Sequence, residues 1–242
     1  MKNLFLIFFS GLVIFLSNTE KITTLSIDQM SGEELLNKSI SYHDPSKSWN
    51  KFNGIINITM TRPDRSMRNS EVEINLPKSY FRSKVIQDKN TIEQVVENNL
   101  CKITLNGKSN FSKSEIEHHR LTCDYALKMR DYYTYLYGLP MKLKDPGTII
   151  NPEIAKKVFK GKKYLVLKVD YQETVGKDRW YFYFNTKSFA LEAYQFFHKE
   201  SENDGEYILL SDEKEVNGIK MPKIRSWFYN DKDKFLGTDT LN

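Results

Sequence analysis

His119 and Cys123 stand four positions apart, the spacing that sets two side chains on one face of a helix. Beside a carboxylate they would make a Cys–His nucleophile pair. A cysteine held in a disulfide cannot serve as nucleophile, and a bridged or buried cysteine next to a surface histidine is the commoner arrangement. His118 and His119 are adjacent and point about 100° apart around a helix, so they form no ready metal pair. His43-Asp44 closes another helical stretch, where a histidine simply complements the helix dipole unless the two act as ligands. The chain holds no glycine-rich phosphate loop, Cys-x-x-Cys, His-Glu-x-x-His or Gly-x-Ser-x-Gly. These residues assign no catalytic group, no metal and no cofactor. Tyr132, Tyr133, Tyr135 and Tyr137 form a dense cluster that could rim a ligand site or stack on a sugar. Docking of a helix end onto a sheet is the favoured reading of it.

The elements that must hold these groups are announced by composition. Fourteen Tyr, fifteen Phe and three Trp stand against four alanines: Ala126, Ala155, Ala190 and Ala193. Aromatics suit a pleated, half-buried surface and alanine suits helices, so a helical bundle is disfavoured. The 242 residues are 40% hydrophobic and 28% charged, which excludes a disordered polyelectrolyte and suits one domain with a real core. The net charge of +5 is spread along the chain and interrupted by acids, so nucleic acid is not an expected partner.

The N-terminus has the form of an export signal. A short basic start, Met1-Lys2-Asn3, precedes a 13-residue apolar run from Leu4 to Leu16. That run is short for a bilayer span, which needs about 20 residues, and fits a signal-peptide core. Ser17 and Thr19 make cleavage after Thr19 the expectation, leaving 20–242 as a single β-rich domain. An uncleaved inner-membrane anchor is the alternative. Export makes Cys101 and Cys123 a disulfide candidate, with two buried thiols as the other reading.

Ser31-x-x-Glu34 has capping-box spacing and opens a short helix that Asp44-Pro45 stops. Alternation over 52–62 and 71–76 marks strands, as do the stretches 80–86, 91–96 and 100–105. Asn106-Gly107 is a two-residue turn signal. Ser114-x-x-Glu117 suggests a second capping box and a helix through Tyr132 or beyond, ended by Gly138 and Pro140. Asn151-Pro152 could begin a short helix, or the segment to Phe159 could be a strand. Strands near 163–173, 179–185, 189–198, 206–215, 219–229 and 234–241 then follow between turn signals, the cadence of an antiparallel meander.

The segments Trp180–Asn185, Asp204–Tyr207, Val216–Pro222 and Tyr135–Leu143 resemble an uncharacterised family of exported bacterial proteins. That family's element order is in turn similar to the lipoprotein-localisation (LolA-like) carriers. The resemblance implies an incomplete β-barrel, closed by helices, that shelters acyl chains; it transfers no binding residue. The expected fold is therefore α+β and mainly antiparallel, a curved sheet or incomplete barrel covered by two or three helices. Trp180, Phe182 and Phe184 share one strand face, Tyr194 and Phe196 another, Trp227 and Tyr229 a third. They are ordinary core aromatics or, if that face lines a cavity, the ligand-binding set. The functional expectation is an exported, periplasmic carrier or binding protein for a hydrophobic ligand such as an acyl chain, lipid or lipoprotein, with membrane-surface contact and an unassigned oligomeric state. A cell-envelope interaction module without ligand is the alternative, and an envelope hydrolase using His119 comes third.

Overall fold

The computed structural model describes residues 30–242; the expected signal segment, 1–19, lies outside the described residues. All twelve strands join one antiparallel sheet. The first meander comprises β1 (Asn53–Arg62), β2 (Arg65–Asn75), β3 (Tyr80–Gln87), β4 (Asn90–Glu97) and β5 (Leu100–Leu105). The second runs through β6 (Thr148–Phe159), β7 (Lys162–Tyr171), β8 (Arg179–Asn185), β9 (Leu191–Phe197), β10 (Glu206–Val216), β11 (Ile219–Tyr229) and β12 (Phe235–Leu241). Their order is β5-β4-β3-β2-β1-β12-β11-β10-β9-β8-β7-β6. The last strand therefore welds the two meanders by pairing with the first, from Ile58↔Leu241 to Thr61↔Thr238. The outer strands β5 and β6 do not pair, so the barrel stays open.

Three helices supply the cover: α1 (Gly32–His43), α2 (Lys113–His119) and α3 (Cys123–Gly138). Ser31 caps α1 through the expected box: its hydroxyl accepts from the Glu34 N–H, and Glu34 accepts from the Ser31 N–H. The second box sits two residues earlier than its sequence signature, at Ser112 and Glu115. The expected single helix through this region is two. Arg120 adopts a left-handed conformation and Thr122 caps a new helix, its hydroxyl accepting from the Tyr125 N–H. His119 and Cys123 thus lie on different helices and do not share a face. The segment from Asn151 is strand, not helix; it belongs to β6, whose register with β7 shifts between Ile150 and Ile154.

One main core fills the space between sheet and helices, drawing Ile56, Val72, Phe81 and Val96 from the first meander and Leu167, Phe182, Phe184 and Ile208 from the second. The tyrosine cluster bridges them. Tyr133 stacks on Phe81 at 6.2 Å, while Tyr135 meets Trp180 edge-on at 5.8 Å and shares a 2.7 Å hydrogen bond with the Tyr171 hydroxyl. A smaller cluster of Tyr164, Val166, Tyr183 and Ala193 covers the opposite face of β7–β9. Gly32 is required where α1 crosses β6: a Cβ there would stand 2.0 Å from the Asn151 carbonyl oxygen. A disulfide joins Cys101 on β5 to Cys123 at the start of α3, with Cα atoms 5.6 Å apart.

Candidate functional site

Two clefts open side by side where the β1–β2 hairpin meets α3. The first, about 590 Å³, lies between that hairpin and the ends of β11 and β12. Met60, Tyr132, Trp227, Tyr229, Phe235 and Leu236 give it an aromatic and aliphatic wall. Tyr229 and Phe235 are 42% and 41% exposed and stand together in one wall, so they form a patch and not isolated surface side chains. Behind them, Trp227 meets Tyr194 edge-on at 6.4 Å, and Tyr194 leads to Trp180 and Phe182 at 6.1 and 6.2 Å. The cleft wall is thus the outer end of an aromatic ladder rooted in the core. Gly237 keeps this wall thin, since a Cβ there would stand 2.6 Å from the Thr61 carbonyl oxygen. Glu206 is the acidic group here beside Asp64. Burial pushes its carboxyl above the usual range, opposed by His198 and Arg62.

The second cleft, about 580 Å³, lies between α2, the start of α3 and the inner face of β2–β4. It is more basic than the first, which itself carries Arg62, Asp64, Arg65, Glu206 and Lys234 beside its aromatics. Arg62, Arg65, Arg68 and Arg120 line this second cleft with His118 and His119, against the one carboxylate Asp88. Among the described residues no ion pair involves any of the four arginines. The inner row of β2 runs Arg68, Ser70, Val72, Ile74, so the strand is apolar at one end and polar at the other. Gln87 on β3 stands level with Arg68, and Ser83 on β3 and Gln94 on β4 carry polar groups level with Val72, with Val85 and Ile92 between them in the lining. Arg62 and Arg65 belong to both clefts and face each other across the hairpin.

Beneath the clefts, Asp239 pairs with Met60 on one side and Arg225 on the other along the strands. Burial raises its carboxyl, with Arg68 and Arg225 opposing. Arg225 is itself 1% exposed; its guanidinium donates to the carbonyls of Pro222 and Leu136 and lies 4.1 Å from the Tyr137 ring centroid. That contact fixes the last turn of α3 to β11, where a cation also suits the helix dipole.

Of the sequence-derived aromatic set, Trp227 and Tyr229 reach the first cleft. Phe182, Phe184 and Tyr194 are enclosed by the core, and Trp180 and Phe196 stack at its margin, 4.8 Å apart. The arginines escaped the sequence reading because they are dispersed over 62–68 and 120; the two-residue phase of β2 was the available signal, since it sets Arg68 in line with Val72 and Ile74. His118 and His119 line the arginine cleft, and Cys123 is bridged, so no Cys–His nucleophile exists in this state. Among the described residues no group of three or more His, Cys, Asp or Glu is placed to hold a metal.

A family model described as "Family of unknown function (DUF6503)" matches residues 11–242. No curated protein matches the chain. A LolA superfamily protein from Nitrosomonas europaea aligns with a TM-score of 0.48 and 10% identity over 88% of this chain and 92% of the other. A DUF1329 family protein from Desulfovibrio piger aligns with a TM-score of 0.48 and 7% identity over 87% of this chain and 90% of the other.

Proposed function

Because the chain belongs to this family of unknown function, its own geometry is the premise from which we propose that it is an exported binding protein or carrier for a hydrophobic ligand, held in the cleft between the β1–β2 hairpin and β11–β12. The observation that carries the reading is the pair of exposed aromatics, Tyr229 and Phe235, beside Trp227 in a concave wall. A concave, mainly apolar site with a few polar groups is how proteins hold small hydrophobic ligands. The signal-like N-terminus supports export, and the exposure of Tyr229 and Phe235 makes the cleft reachable from solvent. The enclosed Phe182, Phe184 and Tyr194 favour a second reading, an envelope interaction module whose interior is a filled core.

Binding of the neutral fluorescent probe N-phenyl-1-naphthylamine separates the two. The carrier reading expects saturable binding, weakened about tenfold by Trp227→Ala, equivalent to about 1.4 kcal/mol. It also expects lipid in organic extracts of protein taken from its native host. An empty extract together with no probe binding would leave the interaction module.

A further inference from the structure

Resting on that reading, we infer that the ligand is an anionic amphiphile: its apolar chain lies along the aromatic cleft, and its phosphate- or carboxylate-type head enters the arginine cleft next door.

Three observations lead to the head-group half. The first is an excess of basic charge. Arg62, Arg65, Arg68 and Arg120 converge on one cleft whose lining holds a single carboxylate, Asp88, and none is in an ion pair among the described residues. The buried Asp239 carboxyl attracts Arg68 and Arg62, and Glu206 attracts Arg62, only at longer range. Elsewhere in the sheet Arg82 is paired with Glu71 and Glu93 and Arg179 with Asp170 and Glu200, while the buried Arg225 donates to the carbonyls of Pro222 and Leu136. The second is the cost of the arrangement. Arg62 and Arg65 are register partners across the hairpin, and like charges set directly opposite each other are destabilising. The third is donor surplus in a buried place. Gln94 is 3% exposed and lines the cleft; its Nε2 has no acceptor among the described residues, and neither does the buried Nε of Arg68. Buried donors without acceptors are costly, and an oxyanion offers several acceptor positions at once. Guanidinium groups match phosphate and carboxylate geometry in a fork-to-fork manner.

The coupling of the two clefts selects an amphiphile over a free anion. Arg62 and Arg65 stand in both walls. Met60 and Arg68, one in each cleft, are direct register partners on β1 and β2. Tyr132 and Tyr133, consecutive on α3, likewise face one cleft each. At that boundary the step from Met60 to Arg68 is one strand spacing, about 4.8 Å, while Trp227 and Tyr229 on β11 lie two strands further along the sheet.

The test is competition for bound N-phenyl-1-naphthylamine by dodecyl phosphate and by dodecyl maltoside, each below its micelle concentration, with inorganic phosphate titrated separately by calorimetry. The expected result is at least a tenfold preference for dodecyl phosphate over dodecyl maltoside. That ratio falls at least fivefold in Arg68→Gln/Arg120→Gln and shrinks in 0.5 M salt. Arg120→Gln alone, at an exposed position, gives a smaller fall and serves if the double variant does not fold. Equal affinities, or a preference that ignores both substitutions, overturn the anionic head group while leaving a hydrophobic carrier standing. Inorganic phosphate binding as tightly as dodecyl phosphate overturns the amphiphile in favour of a free-anion site. Failure of the probe and of both detergents to bind overturns the carrier reading itself, and this inference with it.

Discussion

His43 shows how a single residue can set the acid limit of a fold. It is 1% exposed at the end of α1. The Leu191 N–H donates to its Nε2 at 2.9 Å, so the proton sits on Nδ1, which donates to the Lys220 carbonyl at 2.7 Å. Both ring nitrogens are used only in the neutral form, and burial lowers its pKa from the ordinary 6.5. The unfolded chain then takes up the proton more readily than the folded one. Stability from this group is therefore complete above about pH 6.5 and is lost as pH falls towards the lowered value. His198 works in the other sense: its bond to Asp178 raises it, so its contribution is present below 6.5 and lost as pH rises. Comparing His43→Leu with the wild type isolates the first effect. At pH 8 the substitution leaves a carbonyl and an N–H unpaired and costs about 1–3 kcal/mol by urea unfolding; at pH 5.5 the cost shrinks. An equal cost at both values would show that His43 does not titrate with folding. The sequence displayed His43 as a helix-terminal cation or half of a ligand pair with Asp44, because its actual partners lie 148 and 177 positions away. The same holds for Arg68, whose neighbours on β3 and α2 no spacing rule could supply.

At the scale of elements, local chemistry was legible wherever the deciding contacts are local. The Ser31 box, the alternation of β1 and β2 and the bounds of β8 and β11 all follow from neighbours in the chain. The α2–α3 region misled because 114–132 offers two competing caps and an uninterrupted helical rhythm, while the break at Arg120 is one residue in an unusual conformation. That break lets α3 start afresh at Cys123 and be stapled to the sheet edge at β5. The staple closes a loop with a separation of 22 residues. Loop-closure entropy makes it worth about 3 kcal/mol. Reduction, or Cys101→Ala/Cys123→Ala, is expected to lower the unfolding free energy by that order. Hydrogen exchange should quicken in β5 and α2 before β7–β11, since β5 is an outer strand and pairs only with β4. Unchanged stability with unchanged exchange in β5 would mean that packing alone holds this edge.

For the whole molecule the question is whether two meanders make one cooperative unit. Each could be imagined folding alone, because every strand pairing within a meander is between sequence neighbours. Two long-range devices oppose that. The β1–β12 ladder joins the first strand to the last, and α3 lays Tyr133 on Phe81 of β3 and Tyr135 on Trp180 of β8. A single core cluster contains residues from both halves, so neither meander can bury its inner face without the other. The expectation is one unfolding transition, and the placement of the tryptophans makes it readable. Trp49, Trp180 and Trp227 all lie outside β2–β5, so their fluorescence does not report directly on the outer strands of the first meander, whereas far-UV circular dichroism sees every strand. Coincident denaturant curves from the two probes are the mark of one cooperative unit. A second dichroism step to which fluorescence is blind would show β2–β5 unfolding separately. The two clefts would then fall mainly in different units, the arginine cleft on β2–β4 and the aromatic cleft on β11–β12, joined through the β1–β2 hairpin and α3.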